Sequence, residues 1–227
     1  MRCKMLHSRR EFVCKVLTSA AAAGVSGLMP GTAIRAQTGL SPEAALQQLI
    51  EGNGRFAEGR MTSFNEDLKV LRAKTVDKQE PFAAVLSCAD SRVPVELIFD
   101  QSIGRIFVTR VAGNIATSAV IGSLEYGAAV LGTKAIMVLG HADCGAVHAA
   151  IEGEEVPGQI STLYPYIRPA VDQAGPDLTA AIKANAKIQA ALLRQASPVL
   201  AEQIKKNQLQ IVAAYYDLAT GKVSMLG

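Results

Sequence analysis

Three separate, largely apolar runs of residues constrain the fold of this chain most strongly. A run without regular polar alternation is typical of a strand buried on both faces, the environment of a parallel sheet covered by helices. The segment between the second and third runs has apolar residues at helical spacing, at positions 120, 121, 124 and 128. Strand, helix and strand in this order predict a parallel sheet with right-handed crossovers. The three runs are FAAVLS at 82–87, RIFVTR at 105–110 and AIMVLG at 135–140.

The segments on either side of these runs complete one α/β domain. A first helix is predicted from Ser41, with that serine as the N-cap and Pro42 at the first helical position. Residues 177–207 have helical spacing that is broken near Pro198, because proline cannot continue a helix. Residues 209–226 predict a strand, a tight turn at 219–221 and a second short strand. No linker or repeat divides residues 37–227, which are therefore predicted to form a single domain.

Residues 1–36 have the features of a cleavable export signal. A twin arginine, Arg9 and Arg10, precedes fourteen uncharged residues rich in alanine and glycine, and the segment ends at Ala36. The alternative is a membrane anchor, but this apolar stretch is too short to span a bilayer comfortably. We therefore expect twin-arginine export to the periplasm and no stable membrane anchor. Cleavage after Ala36 would leave only two cysteines and two histidines, namely Cys88, Cys144, His141 and His148.

The charge of the chain is concentrated in this same segment. The chain has a formal charge of +3, but residues 1–36 contain six basic residues and one acidic residue. The remainder carries 17 basic and 19 acidic residues, with no basic stripe. Nucleic acid is therefore not an expected partner.

Soft metal ligands follow two of the predicted strands. In open parallel sheets ligands bind at the carboxyl ends of the strands. The first run is followed by CADSR at 88–92, and the third by HADCG at 141–145, which places His141 in a loop. Cys88, His141 and Cys144 could thus converge on one ion, and two thiolates with one imidazole and an open position form a known catalytic zinc arrangement.

The sequence alone is also compatible with other interpretations of the cysteines and their neighbours. Cys88 and Cys144 could form a disulfide in an exported protein, which would make this a non-catalytic binding or structural protein. Asp90 and Arg92, two residues apart, could both point toward the site or form only a surface ion pair. His148 lies four residues after Cys144 on a predicted helix, so it is an alternative ligand, a surface residue or a proton relay.

Five motifs together resemble the β-class carbonic anhydrases in order and approximate spacing, from about Ser41 to the C-terminus. This resemblance implies an α/β fold with a central mostly parallel sheet, flanking helices and a C-terminal antiparallel edge strand. It also implies a homodimer or a dimer of dimers. The motifs are CADSR, RVAGN, GSLEYGAAVLG, GHADCGAV and YYDLATGKV.

The resemblance also implies an activity. Carbon dioxide would be hydrated reversibly to bicarbonate by a zinc-bound hydroxide, with one Zn²⁺ per chain at Cys88, His141 and Cys144. Asp90 and Arg92 match the catalytic dyad of the family. Asp90 also counts as a ligand, because in some members it closes the zinc site at lower pH. A hydrolase of carbon disulfide or carbonyl sulfide is compatible with the same motifs.

Three further positions are carried over from the family. Gln79 resembles its amide donor to substrate, and Phe107 and Tyr126 resemble the walls of its carbon dioxide pocket. Some bacterial members bind inhibitory bicarbonate through a tryptophan three residues before the first cysteine. This chain has Val85 there and no tryptophan, so that regulation is not expected, although Arg110 and Tyr216 match other residues of that inhibitory site.

Overall fold

The computed structural model describes residues 38–65 and 67–227, which contain five strands and eight α-helices. The predicted export signal lies outside the described residues. The strands are β1 (Ala83–Ser87), β2 (Ile106–Arg110), β3 (Ala135–His141), β4 (Gln210–Tyr216) and β5 (Val223–Leu226). The helices are α1 (Pro42–Ala57), α2 (Leu68–Thr75), α3 (Val95–Ile98), α4 (Ser118–Glu125), α5 (Gly145–Glu152), α6 (Tyr164–Ala174), α7 (Leu178–Ala196) and α8 (Pro198–Lys205).

The strands form one sheet in the order β2-β1-β3-β4-β5. The first four strands in this order are parallel, and β5 runs antiparallel to β4. Ala83 of β1 is level with Ala135 of β3 and Ser87 with Leu139, so β3 continues for two residues beyond the end of β1. The predicted α/β fold, with a mostly parallel sheet and an antiparallel C-terminal edge strand, is confirmed.

Both faces of the central strands are buried, which explains the apolar runs. In β1, Ala84 and Leu86 pack in one core cluster with residues of α4, α7 and α8. Ala83 and Val85 point the other way and pack with residues of α1 and α3. Because successive side chains of a strand alternate between faces, a strand covered on both sides needs apolar residues at every position.

The predicted helix boundaries follow from local capping. Ser41 Oγ accepts a hydrogen bond from Ala44 N at 3.1 Å, and Pro42 occupies the first turn of α1. The predicted break near Pro198 is also confirmed. Ser197 separates α7 from α8, and its hydroxyl accepts a hydrogen bond from Leu200 N at 3.1 Å.

The sequence analysis did not predict every element. The helix α6 was missed, and its interior contains Pro169. One π-helical turn, Tyr126–Val130, follows α4. Across residues 38–65 and 67–227, no helix has both the length and the apolar composition needed to cross a membrane.

Candidate active site

Three predicted ligands meet at the carboxyl edge of the sheet. Cys88 follows β1 directly, and Cys144 is the N-cap residue of α5. His141 was expected in a loop, but it is the last residue of β3, paired in register with Tyr216 of β4. The ligand atoms of Cys88, His141 and Cys144 lie within 4.8 Å of one another, and all three residues are buried. The neighbouring positions of β1 and β3 bring these distant residues together.

The two sulfur atoms are not bonded to each other. Cys88 Sγ and Cys144 Sγ lie 4.0 Å apart, whereas a disulfide requires about 2.05 Å. Two thiolates on a tetrahedral zinc, each at about 2.3 Å from the ion, would be separated by roughly 3.8 Å. The sulfur separation therefore fits a shared tetrahedral ion.

The imidazole of His141 is oriented for ligation. Nδ1 lies 2.9 Å from the carbonyl oxygen of Ala142, to which its N–H donates, so Nε2 carries the lone pair. The His141 side chain is completely buried, and Nε2 has no hydrogen-bond partner among the described residues. An unpaired buried nitrogen is unfavourable, and a metal ion would satisfy it.

The surroundings of Cys88 favour a thiolate. The hydrogen bond with Cys144 is the largest of the effects that lower its pKa, which falls to about 4 despite burial. His141 and two backbone N–H groups act in the same direction, and the Gly113 N–H lies 3.3 Å from Cys88 Sγ. The pKa of Cys144 is raised by its hydrogen bond with Cys88 and by burial. Without a metal, one proton is therefore retained between the two sulfurs.

A carboxylate with a fixed arginine partner lies beside this cluster. Asp90 Oδ2 is 3.9 Å from His141 Nε2. Arg92 donates from Nη2 to Asp90 Oδ2 at 2.7 Å and from Nε to Oδ1 at 3.0 Å. This pairing is the main cause that lowers the pKa of Asp90, to about 2. Asp90 is therefore ionised at neutral pH and is held by Arg92 next to the three ligands.

The sequence and fold match one known family. A family model described as carbonic anhydrase matches residues 83–223. "Carbonic anhydrase 2" of Mycobacterium tuberculosis is 36% identical over 196 residues, covering 80% of this chain and 91% of that protein. The solved structure of the β-carbonic anhydrase CcaA is similar with a TM-score of 0.64 and 26% identity, covering 80% of this chain and 95% of that one. The chain belongs to the β-class carbonic anhydrase family.

More distant relatives agree with this assignment. The carbonic anhydrase of Pseudomonas aeruginosa is 28% identical over 196 residues, covering 80% of this chain and 87% of that protein. The Coccomyxa β-carbonic anhydrase, solved in complex with acetazolamide, has a TM-score of 0.62 and 26% identity, covering 80% of this chain and 86% of that one. The chain described here is therefore an enzyme of the carbonic anhydrase type.

Arg110 holds the loop that carries two of the carbonic anhydrase site residues. From the end of β2, Nε donates to the carbonyl oxygen of Cys88 at 3.0 Å, and Nη2 donates to that of Asp90 at 2.5 Å. From the sequence, Arg110 was a match to an inhibitory site or a residue that simply packs or pairs. Its position at the start of RVAGN, at the end of a strand next to β1, was the signal available for this contact.

The three proposed substrate residues lie away from this cluster within one chain. Phe107 is level with Ala84 of β1, four residues before Cys88, which corresponds to about 13 Å along a strand. Its ring centroid lies 6.3 Å from that of Tyr126. Gln79 is exposed in the segment before β1, on the amino side of the sheet. The structure thus pairs Phe107 with Tyr126, but it does not bring them or Gln79 to the Cys88 cluster.

His148 does not join the three ligands. It lies on α5 with its side chain 55% exposed, and its Nδ1 is 3.4 Å from Glu152 Oε2. This places His148 at the surface, one turn beyond Cys144 on the same helix. Of the alternatives considered for His148, a surface residue agrees with this position.

Proposed function

We propose that this carbonic anhydrase hydrates carbon dioxide reversibly to bicarbonate and a proton, with one Zn²⁺ per chain held by Cys88, His141 and Cys144. The observation that carries this proposal is the convergence of their three donor atoms within 4.8 Å. Two sulfurs and one nitrogen are a donor set that favours zinc over magnesium or calcium. When bound, zinc supplies a Lewis acid that makes water nucleophilic near neutral pH.

The chain itself contributes the orientation of the attacking water. The ionised carboxylate of Asp90 is the acceptor beside the ligands, with Oδ2 at 3.9 Å from His141 Nε2. It would accept a hydrogen from that water and so turn the lone pair toward carbon dioxide. Arg92 keeps Asp90 in this position through two side-chain hydrogen bonds. Arg110 holds the main chain at Cys88 and Asp90, which fixes the distance between ligand and acceptor.

A homodimer, or a dimer of dimers, would explain the placement of the aromatic residues. Tyr126 is 46% exposed, and Phe107 lies on β2, an edge strand of the sheet. An edge strand leaves main-chain hydrogen-bonding groups available to a second copy. Because Phe107 lies about 13 Å from the level of its own Cys88 and its ring is next to that of Tyr126, we propose that the two form pocket walls only in a partner's site. Sedimentation of wild-type protein and a Tyr126→Arg variant tests this, since a charge on this exposed residue should shift the protein toward monomer, and an unchanged sedimentation would contradict the proposal.

A periplasmic location follows only from the motif in residues 1–36. We propose that the chain is exported by the twin-arginine route. Cell fractionation of the wild type beside an Arg9→Lys/Arg10→Lys double variant tests this. Retention of the double variant inside the cell would support export, and an unchanged distribution would contradict it.

Metal content and carbon dioxide hydration, measured on the same preparations, test the central proposal. We expect about one zinc per chain and stopped-flow hydration well above the spontaneous rate. Cys144→Ser removes a ligand and should lose both zinc and hydration. His148→Ala, which alters a nearby exposed histidine, should keep both. Wild-type protein that retains no zinc, or that hydrates carbon dioxide only at the spontaneous rate, would contradict the proposal.

A further inference from the structure

An unfavourable backbone turn directs one N–H group at the sulfur of Cys88. Gly113 and Asn114 both have positive φ angles, of 74° and 43°. The Gly113 N–H donates to Cys88 Sγ at 3.3 Å. A Cβ at position 113 would lie 2.8 Å from Ile167 Cδ1, so the end of that side chain would have to move, and glycine adopts this φ without strain. Asn114 is not a glycine, so its positive φ has a conformational cost and the turn needs support from its surroundings.

That support comes from two buried amide side chains of α7. Asn185 is completely buried and Gln189 is 1% exposed. They lie four residues apart, and so on the same face of the helix. Asn185 Nδ2 donates to the carbonyl oxygen of Gly113 at 2.8 Å. Gln189 Oε1 accepts the Ala116 N–H at 2.9 Å, at the other end of the same turn.

Backbone groups fix the direction of every hydrogen bond in this group. Because the Ala116 N–H can only donate, the oxygen of Gln189 must face it. Gln189 Nε2 then donates to Asn185 Oδ1 at 3.1 Å and to the Tyr166 carbonyl at 2.9 Å. This leaves the Asn185 amino group to face the Gly113 carbonyl. The bond from Gln189 and the accepting carbonyl of Gly113 therefore favour the same orientation of Asn185.

We propose that Asn185 and Gln189 are positioning residues for the metal ligand Cys88. They hold the Gly113 turn so that its N–H remains on the Cys88 sulfur. Such a hydrogen bond stabilises the thiolate and fixes its direction, as other outer-shell partners do for metal ligands. The inference rests on the zinc site proposed above, and it assigns a role to residues about one hundred positions away from Cys88 in the chain.

Two variants of the full chain interrupt this arrangement in different ways. Asn185→Leu removes the donor to Gly113 and leaves a carbonyl oxygen buried without its partner. Gln189→Glu has the same size and retains an acceptor for Ala116. Its second oxygen would repel Asn185 Oδ1 and turn the Asn185 amide around, so that an oxygen faces the Gly113 carbonyl. If Asn185→Leu does not fold, metal binding by Gln189→Glu tests the positioning role.

Asn53 provides a matched control. It is a buried amide of α1 whose hydrogen bonds go to backbone groups. Its Nδ2 donates to the carbonyls of Ile98 and Gly221 at 3.1 and 2.9 Å, and its Oδ1 accepts the Val223 N–H at 2.8 Å. Its contacts lie in a different part of the core from the cysteines. Asn53→Leu should therefore lower the Tm without changing metal binding.

Zinc affinity and the spectrum of cobalt-substituted protein are the measurements. We expect Asn185→Leu and Gln189→Glu each to lower zinc affinity about tenfold in chelator competition. Both should also shift the thiolate-to-cobalt charge-transfer band, a change that a loss of stability alone would not produce. Folded variants with wild-type affinity and an unshifted band would overturn the inference, as would equal changes in Asn53→Leu. Failure of the wild type to bind either metal would instead refute the proposed zinc site.

Discussion

Cys88 Sγ and Cys144 Sγ lie 4.0 Å apart although 56 residues separate them in the chain. They meet because β1 and β3 are parallel neighbours in the sheet, and Ser87 at the end of β1 is level with Leu139, near the end of β3. The Gly113 N–H also donates to Cys88 Sγ at 3.3 Å. The pair is therefore arranged as ligands for a cation would be.

Metal removal should make two additional thiols reactive. In the proposed zinc site both sulfurs would be ligands and would be protected from alkylation. After chelation, we expect thiol titration to count two more reactive cysteines per chain, and mass spectrometry to locate the label on Cys88 and Cys144. Early labelling of these two cysteines in metal-loaded protein would show that they are not ligands.

Asp90→Asn should separate catalysis from metal binding. The amide has the size of the carboxylate, but it carries no charge and pairs poorly with Arg92. We expect kcat/KM for carbon dioxide hydration to fall about a hundredfold, with zinc content unchanged.

Asp143→Asn is the matched control for this change. The Asp143 side chain is 77% exposed and its carboxylate reaches Arg92 only at 3.4 Å. Hydration should change less than twofold. Equal losses in both variants would assign the effect to the charge around Arg92 and not to Asp90 as the acceptor.

Replacement of Arg110 should loosen the loop from Cys88 to Asp90. Arg110→Leu removes both hydrogen bonds to the carbonyl oxygens, and Arg110→Lys retains the charge but cannot span two acceptors. We expect Arg110→Leu to lower kcat/KM by at least tenfold, which corresponds to about 1.4 kcal/mol. Arg110→Lys should recover only part of this loss.

The control for Arg110 lies beside the opposite end of the same strand. Arg105 precedes β2, and its guanidinium lies 5.2 Å from the ring centroid of Phe82. Arg105→Leu should leave hydration unchanged in stopped-flow assays. Wild-type activity in Arg110→Leu would contradict a role for this arginine in the site.

Asp100 should make stability dependent on pH in the acid range. Its side chain is completely buried, and it accepts hydrogen bonds from Arg55 Nε at 2.6 Å and from Ser63 N at 2.8 Å. Burial alone would raise the pKa of Asp100, but these bonds and those from Thr62 lower it well below its usual range. Since the folded-state pKa lies below the unfolded value of about 3.9, the stabilisation is complete above that value and is lost as pH falls below it.

Urea unfolding of Asp100→Asn tests this dependence. At pH 7 we expect the free energy of unfolding to fall by about 2–3 kcal/mol, because a buried charged acceptor is lost. The difference from wild type should shrink below about pH 4. Asp67→Asn, at the exposed N-cap of α2, should cost at most about 1 kcal/mol. If the difference in unfolding free energy between wild type and Asp100→Asn stayed constant with pH, the proposed effect of the Asp100 carboxylate would be contradicted.

The sequence by itself determined the strands and their likeness to a known family, and it indicated the three candidate ligands. Two-sided burial favours apolar residues along β1 before Ser87 and along β3 before His141, and this is visible in the chain as uninterrupted runs. The ends of those runs then indicate where ligands must lie, because the carboxyl ends of parallel strands meet at one edge. The breaks at Ser41 and Pro198 were equally visible, since capping and the missing proline N–H are local properties.

Only the tertiary structure decided how the ligands are supported. The contact of Asn185 with Gly113 and the contact of Arg110 with Cys88 join residues on different elements. An amide in a helix has the same sequence signature whether it faces solvent or a distant loop. The same holds for Phe107 and Tyr126, whose distance from the cysteines depends on register along the sheet. Hydrogen bonds across the core depend on packing in three dimensions, and no periodicity of the chain records them.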